Sequence, residues 1–226
     1  MINVIYEDNH LIAVSKSSSV LAQGDSTGDM SLDTRIKNYL AEKYNKPGKV
    51  FLGVIHRLDR PVSGVILFAR TSKALSRLNE MFSNRKVKKT YLAIVAGRPP
   101  ADMGTITGFV RKNEQQNKTY VFEKEVKGSK SASLSYRIAG RSDRYYLLEI
   151  ELHTGRHHQI RAQLAGIGCP VKGDLKYGFP RSNSDGSICL HSRKLELVHP
   201  VKGDSLTIEA PLPDSDVWRY FRNVDV

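Results

Sequence analysis

The sequence predicts an α+β fold built on a mixed, mainly antiparallel sheet with flanking helices. Three observations predict it. Short apolar runs alternate with turn signals near both ends of the chain. Two stretches carry apolar residues at helical spacing behind capping residues. A pair of long alternating segments, 131–140 and 145–153, faces across a four-residue polar turn, as an antiparallel pair does.

Each element can be justified in order. Ile2, Val4 and Tyr6, then Leu11, Ile12 and Val14, alternate on either side of Glu7-Asp8-Asn9-His10 and predict a hairpin. Residues 16–30 are rich in Ser, Gly and Asp and predict a loop. Ser31 is placed to cap a helix running to about Tyr44, with Leu32, Ile36 and Leu40 on one face. FLGVI (51–55) is an apolar run. GVILFAR (64–70) predicts a strand, after which Thr71 or Ser72 caps a helix with Ala74, Leu75, Leu78 and Phe82 inward. KKTYLAIVAG (88–97) is the next strand, ended by Gly97 and Pro99-Pro100. The lysine-rich region 111–130 predicts exposed strands and loops. HHQIRAQLAGIG (157–168) predicts a helix entered through Thr154-Gly155, on which His157 and Arg161 share a face. LTIEA (206–210) is a last strand before a short helix over 214–221. The chain shows no repeat, heptad run, low-complexity tract or linker, so residues 1–226 are expected to form one domain.

The chain has 226 residues, 40% apolar and 26% charged, ordinary values for a globular protein. Its charge is not ordinary: 35 Lys+Arg against 23 Asp+Glu leave +12. That excess favours a polyanionic partner, nucleic acid above all. Basic clusters at Arg85–Lys89, Arg111-Lys112 and Lys124–Lys130 lie among Tyr91, Tyr120, Phe122, Tyr177 and Phe179, a mixture that suits stacked RNA bases as well as a folded core. Two cysteines, Cys169 and Cys189, imply no disulfide framework and fit a reducing cytoplasm. The N-terminus MINVIYEDNH reads as neither signal peptide nor membrane span.

Residues 56–64, HRLDRPVSG, set one carboxylate between two guanidiniums on a loop between apolar runs. Neighbouring positive charge keeps a carboxylate ionised, which suits a structural ion pair or a nucleophile. Pro61 keeps Arg60 out of the helical region, and Gly64 permits a sharp re-entry into the next strand. A second segment, ELHTGRHHQIRAQL (151–164), gathers histidines and arginines at a helix start, where anions are favoured. His56, His157, His158, Cys189 and His191 match no common zinc spacing. Gly155, Gly173 and Gly178 read as turn glycines, since PVKGD and KYGFP lack a phosphate-loop pattern.

HRLDRPVSG resembles the catalytic motif of RNA pseudouridine synthases of the RluA/RsuA type. The likeness spans nearly the whole chain, through YEDNHLIAVSK, KKTYLAIVAG, TGRHHQIRAQL, PVKGDLKYG and ICLHSRKLELVHP. The pairing of HRLDR with TGRHHQIR is that of the RluA branch, and no S4-type RNA-binding extension precedes the motifs. The resemblance implies that Asp59 attacks the target nucleoside, that Tyr91 packs on the target base and handles a proton, and that Arg161 pairs with the aspartate. It implies that Ile160 and Leu190 line the uracil pocket and that Arg57 enters the RNA stack where the base has left. The family's N-K-P-x-G is here Ser15-Lys16-Ser17-Ser18-Ser19, a departure that bears on the loop and not on the catalytic positions.

Isomerising uridine breaks a C–N glycosidic bond, turns the base and rejoins it through carbon, so neither metal nor other cofactor is implied. Whether the carboxylate attacks the anomeric carbon, attacks uracil C6 or takes the 2′ proton stays open. The base must first leave its stack, at a cost of a few kcal/mol, and stacking on Tyr91 returns about 1–3 kcal/mol of it. The implied partner is structured RNA, a ribosomal or transfer RNA stem-loop, met by a cytoplasmic monomer without a membrane or an obligatory protein partner. Two other classes fit these motifs less well. A paired-carboxylate hydrolase needs a second acid where these motifs carry arginine. A non-catalytic RNA-binding module has no use for a carboxylate facing an anion.

Overall fold

A computed structural model describes residues 2–24 and 29–224. Residues 25–28 of the expected 16–30 loop lie outside them. The elements in chain order are β1 (Asn3–Glu7), β2 (Leu11–Lys16), α1 (Leu32–Lys43), β3 (Gly53–Val54), β4 (Ser63–Ala69) and α2 (Ser72–Ser83). There follow β5 (Lys88–Val95), β6 (Met103–Asn113), β7 (Lys118–Phe122), β8 (Lys130–Arg141), β9 (Tyr146–Leu152) and α3 (Gln159–Gly166). A 3-10 turn (Leu175–Tyr177), β10 (Leu190–Val198), β11 (Ser205–Glu209) and α4 (Asp216–Arg219) complete the order. The fold is α+β, with mainly antiparallel strand pairing and flanking helices.

The chain divides into two compact units. Residues 1–87 and 192–211 form the first, and residues 88–191 and 212–226 the second. In the first, β1 pairs with β2 and β2 with β4, all antiparallel, with Leu11 opposite Ala69 and Lys16 opposite Gly64. Alternation sends Leu11 and Ala13 of β2, and Val65 and Leu67 of β4, into one core with Ala74 and Leu78 of α2 and Leu195 and Leu197 of β10. Each fully buried leucine there contributes roughly 1.5–3 kcal/mol. The Thr71 hydroxyl caps α2, accepting from the Ala74 N–H at 3.2 Å. Ser31 stands at the N-cap of α1, but its hydroxyl turns to the Asp33 carboxylate instead of a helix N–H.

In the second unit the strands run β5, β9, β8, β6, β7 in antiparallel order. The region read only as exposed strands and loops forms the β6–β7 hairpin, with Asn113 opposite Lys118. The last helix is shorter than 214–221. Two further differences have local causes. β10 has no clear strand signal in the sequence, because LHSRKLELV interrupts its apolar positions with charge. The helix expected over 157–168 begins at Gln159, because His158 takes a left-handed backbone (φ 49°). His157 therefore does not share a helical face with Arg161. It stacks on His158 instead, ring centroids 3.7 Å apart.

Candidate active site

Asp59 lies on the loop between β3 and β4, and the sequence dictates how that loop is fixed. Leu58 and Val62 are buried on either side, at 6% and 3% exposure, while Asp59 between them is half-buried. The Val62 N–H donates to the Asp59 carbonyl at 3.0 Å, closing the bend over Arg60-Pro61. The Ser19 N–H donates to the Arg60 carbonyl at 2.9 Å. His56 is the anchor at the loop's start: its Nε2 accepts the Leu67 N–H at 3.0 Å, and its ring stacks on Phe82. Arg57 is exposed. The Arg60 guanidinium reaches the Ser19 carbonyl and the Asp29 carboxylate.

Lys16, which sequence reasoning left unassigned, is the hidden support of this loop. It is 1% exposed, yet its ammonium donates to the carbonyls of Ser17 (3.1 Å), Val20 (2.9 Å) and Arg60 (3.1 Å). Three donors meet three acceptors. Burial pushes its pKa down to about 8; the Asp59 charge opposes that shift and Arg60 adds to it. A lysine closing the apolar run of β2 was the signal in the sequence. Ser19, at the family's glycine position, holds φ 70°. The loop thus keeps a glycine-type backbone without its glycine.

Gly64 does what the sequence expected of it, for a stronger reason than the turn alone. It has φ 116°, and a Cβ there would lie 2.5 Å from the Ser192 amide nitrogen and closer still to its carbonyl. Only glycine lets β4 and β10 approach at this point.

Tyr91, Ile160, Arg161 and Leu190 belong to the second unit, all between 4% and 8% exposed. Tyr91 stands on β5 opposite Ile150 of β9. Arg161 is gripped by a partner the sequence did not reveal: its Nε and Nη2 donate to the two Asp174 oxygens at 2.7 and 2.9 Å. Its guanidinium carbon lies 5.0 Å from the Tyr177 ring centroid. Buried beside it, Gln159 accepts from the Thr154 hydroxyl and donates to Gln163, which fixes the entry into α3.

One cluster that imitates catalytic machinery is structural. His199 Nε2 lies 2.9 Å from Asp8, but its Nδ1 accepts the N–H groups of Val201 and Lys202. Both nitrogens are thereby engaged, and the ring has no lone pair for a substrate proton. Among the described residues no cluster of three or more His, Cys, Asp or Glu is placed to hold a metal ion, and no helix is long and apolar enough to cross a membrane.

A family model described as RNA pseudouridylate synthase matches residues 10–166, a span that contains the Asp59 loop, Tyr91 and Arg161. The chain belongs to that family. This synthase is 32% identical, over 93% of its length, to ribosomal large subunit pseudouridine synthase C of Rickettsia prowazekii (strain Madrid E), spanning 68% of that relative. It is 30% identical, over 97% of its length, to tRNA pseudouridine synthase C of Vibrio cholerae serotype O1, spanning 93% of that protein. Among solved structures, Human RNA Pseudouridylate Synthase Domain Containing 4 aligns with a TM-score of 0.80 over 97% of this chain and 92% of that one. At 22% identity that likeness shows the fold. The enzyme class is an isomerase acting on RNA.

Proposed function

We propose that the synthase converts particular uridines in a ribosomal or transfer RNA stem-loop to pseudouridine, with Asp59 as the attacking carboxylate. The observation that carries this reading is the Asp59 loop. Buried Leu58 and Val62 and three main-chain tethers fix a half-exposed carboxylate in the family's motif. The C1′–N1 bond of uridine breaks and a C1′–C5 bond forms; the proton that leaves C5 is matched by one that arrives at N1, so no oxidant or hydrolytic water is consumed. Tyr91 stacks on the target base and assists the proton at C5, Arg161 balances the Asp59 charge, and Ile160 and Leu190 supply the apolar lining. Exposed Arg57 takes the place of the departed base.

Residues 1–226 act as one catalytic domain, the chain passing between its two units three times. The enzyme works as a monomer in the cytoplasm, a reducing compartment that its two buried, unpaired cysteines suit. The +12 charge supports RNA as the partner through phosphate neutralisation.

The test maps pseudouridine in total RNA from cells with and without the protein, then repeats the map with Asp59→Asn. Sites present only with the wild type are expected, and the variant converts them about 1000-fold more slowly or not at all, with unchanged melting temperature and RNA affinity. Turnover by Asp59→Asn at the wild-type rate would falsify the assignment.

A further inference from the structure

PVKGDLKYG, to which the sequence assigns turn glycines and a family likeness but no role, holds the Arg161 side chain. Gly173 (φ 89°) and Gly178 (φ 94°) bracket the Leu175–Tyr177 turn, and a Cβ on Gly173 would press on the Asn183 side chain and the Ser187 carbonyl. Asp174 immediately precedes the turn and Tyr177 ends it. The two residues thus stand at the two ends of one short turn. They meet one guanidinium. Asp174, 1% exposed, takes its Nε–Nη2 edge in a two-point fork, while the Tyr177 ring lies against it.

The tyrosine is itself fixed at its far end. Its hydroxyl accepts the Thr119 N–H at 2.8 Å and lies 3.0 Å from His158 Nδ1. Burial, with Arg161 and His157 next in weight, pushes the His158 pKa down to about 2, so the ring beside the phenol stays neutral. Lysine in place of Arg161 has no fork to match Asp174 and no planar face for the ring.

We propose that Asp174 and Tyr177 are positioning residues for the reaction, setting the direction in which the Arg161 guanidinium is presented. The inference rests on the reading of Arg161 as the partner of the attacking carboxylate. Neither residue needs to touch RNA, so their loss slows the chemical step and leaves RNA binding intact.

The test uses the full chain and a synthetic transcript spanning a uridine that the wild type converts, comparing single-turnover rates with dissociation constants. Asp174→Asn is expected to slow conversion about 100-fold, as a misplaced group does, with affinity within about twofold. Asp174→Glu, which restores a carboxylate fork, recovers about tenfold of that loss. Tyr177→Phe keeps the ring and stays within about threefold of wild type, whereas Tyr177→Leu falls about tenfold. The Nε–H resonance of Arg161, identified by its loss in Arg161→Lys, shifts or broadens in Asp174→Asn. Should Asp174→Asn fail to fold, Tyr177→Leu decides the matter, since it leaves the ion pair in place. Folded Asp174→Asn at the wild-type rate overturns the proposal, as does a loss of affinity with the rate kept. If Arg161→Ala converts normally, the reading of Arg161 fails first; if only the 174 and 177 variants convert normally, that reading stands and the clamp falls.

Discussion

Asp59 and Arg161 are held by opposite means. The bonds that close the bend around Asp59 fall on main-chain carbonyls: Val62 N–H on the Asp59 carbonyl, and Ser19 N–H and the Lys16 ammonium on the Arg60 carbonyl. Arg161 sits on an ordinary helical backbone, and its side chain is what the neighbours grip. On the proposed reading of Asp59, a carboxylate that meets a large substrate needs a short side chain on a rigid loop. A long arginine in the interior needs its own rotamers arrested, or it spends its time elsewhere. The two regions therefore break differently: the first through backbone changes nearby, the second through side-chain changes on a different segment.

The largest expected effect on the first region comes from Gly64→Ala. The new methyl meets the Ser192 main chain, which cannot swing aside as a side chain would, and the backbone adopts a φ that alanine avoids. Stability should fall by more than about 3 kcal/mol. Urea denaturation measures it, and a variant within about 1 kcal/mol of wild type would show that β4 and β10 can move apart freely.

Lys16→Met sharpens the comparison further, because it removes a side chain whose bonds all end on carbonyls. At pH 7 the loss should be about 1–3 kcal/mol, with the three acceptors left short of a donor. The pH dependence has a definite sign. The folded pKa, about 8, lies below the unfolded value, so the unfolded chain binds more protons between about pH 8 and 10.5. Wild-type stability relative to Lys16→Met should therefore rise across that window, by up to roughly 3 kcal/mol. A gap that stays flat from pH 7 to 10.5 would mean the ammonium is better solvated than its burial indicates.

The same contrast explains what could be read from the sequence. The β1–β2 hairpin, α1, α2, β5 and the β8–β9 pair follow from local periodicity and caps, and HRLDR announces its loop by its bracketing apolar runs. Arg161 was legible as a motif position. Its clamp was not, because Asp174 is thirteen residues away and the pairing depends on where a 3-10 turn folds back. Lys16 shows in the sequence only as a lysine closing an apolar strand, which ordinarily reaches solvent; the loops that cover it turn it inward. The start of α3 was misjudged because nothing local in Arg156-His157-His158 demands a left-handed backbone.

Ser19 offers the smallest effect and the only gain. It holds a left-handed backbone that costs a non-glycine residue about 1 kcal/mol, and its N–H must stay there to reach Arg60. Ser19→Gly removes that strain but gives the unfolded chain more freedom, which takes back a few tenths. The net expectation is a gain of about 0.5 kcal/mol in thermal denaturation, with conversion unchanged. A loss of stability would show that the serine hydroxyl contributes more to the loop than its backbone angle costs. The Asp59 loop would then lean on the Ser19 side chain as well as on Lys16 and His56.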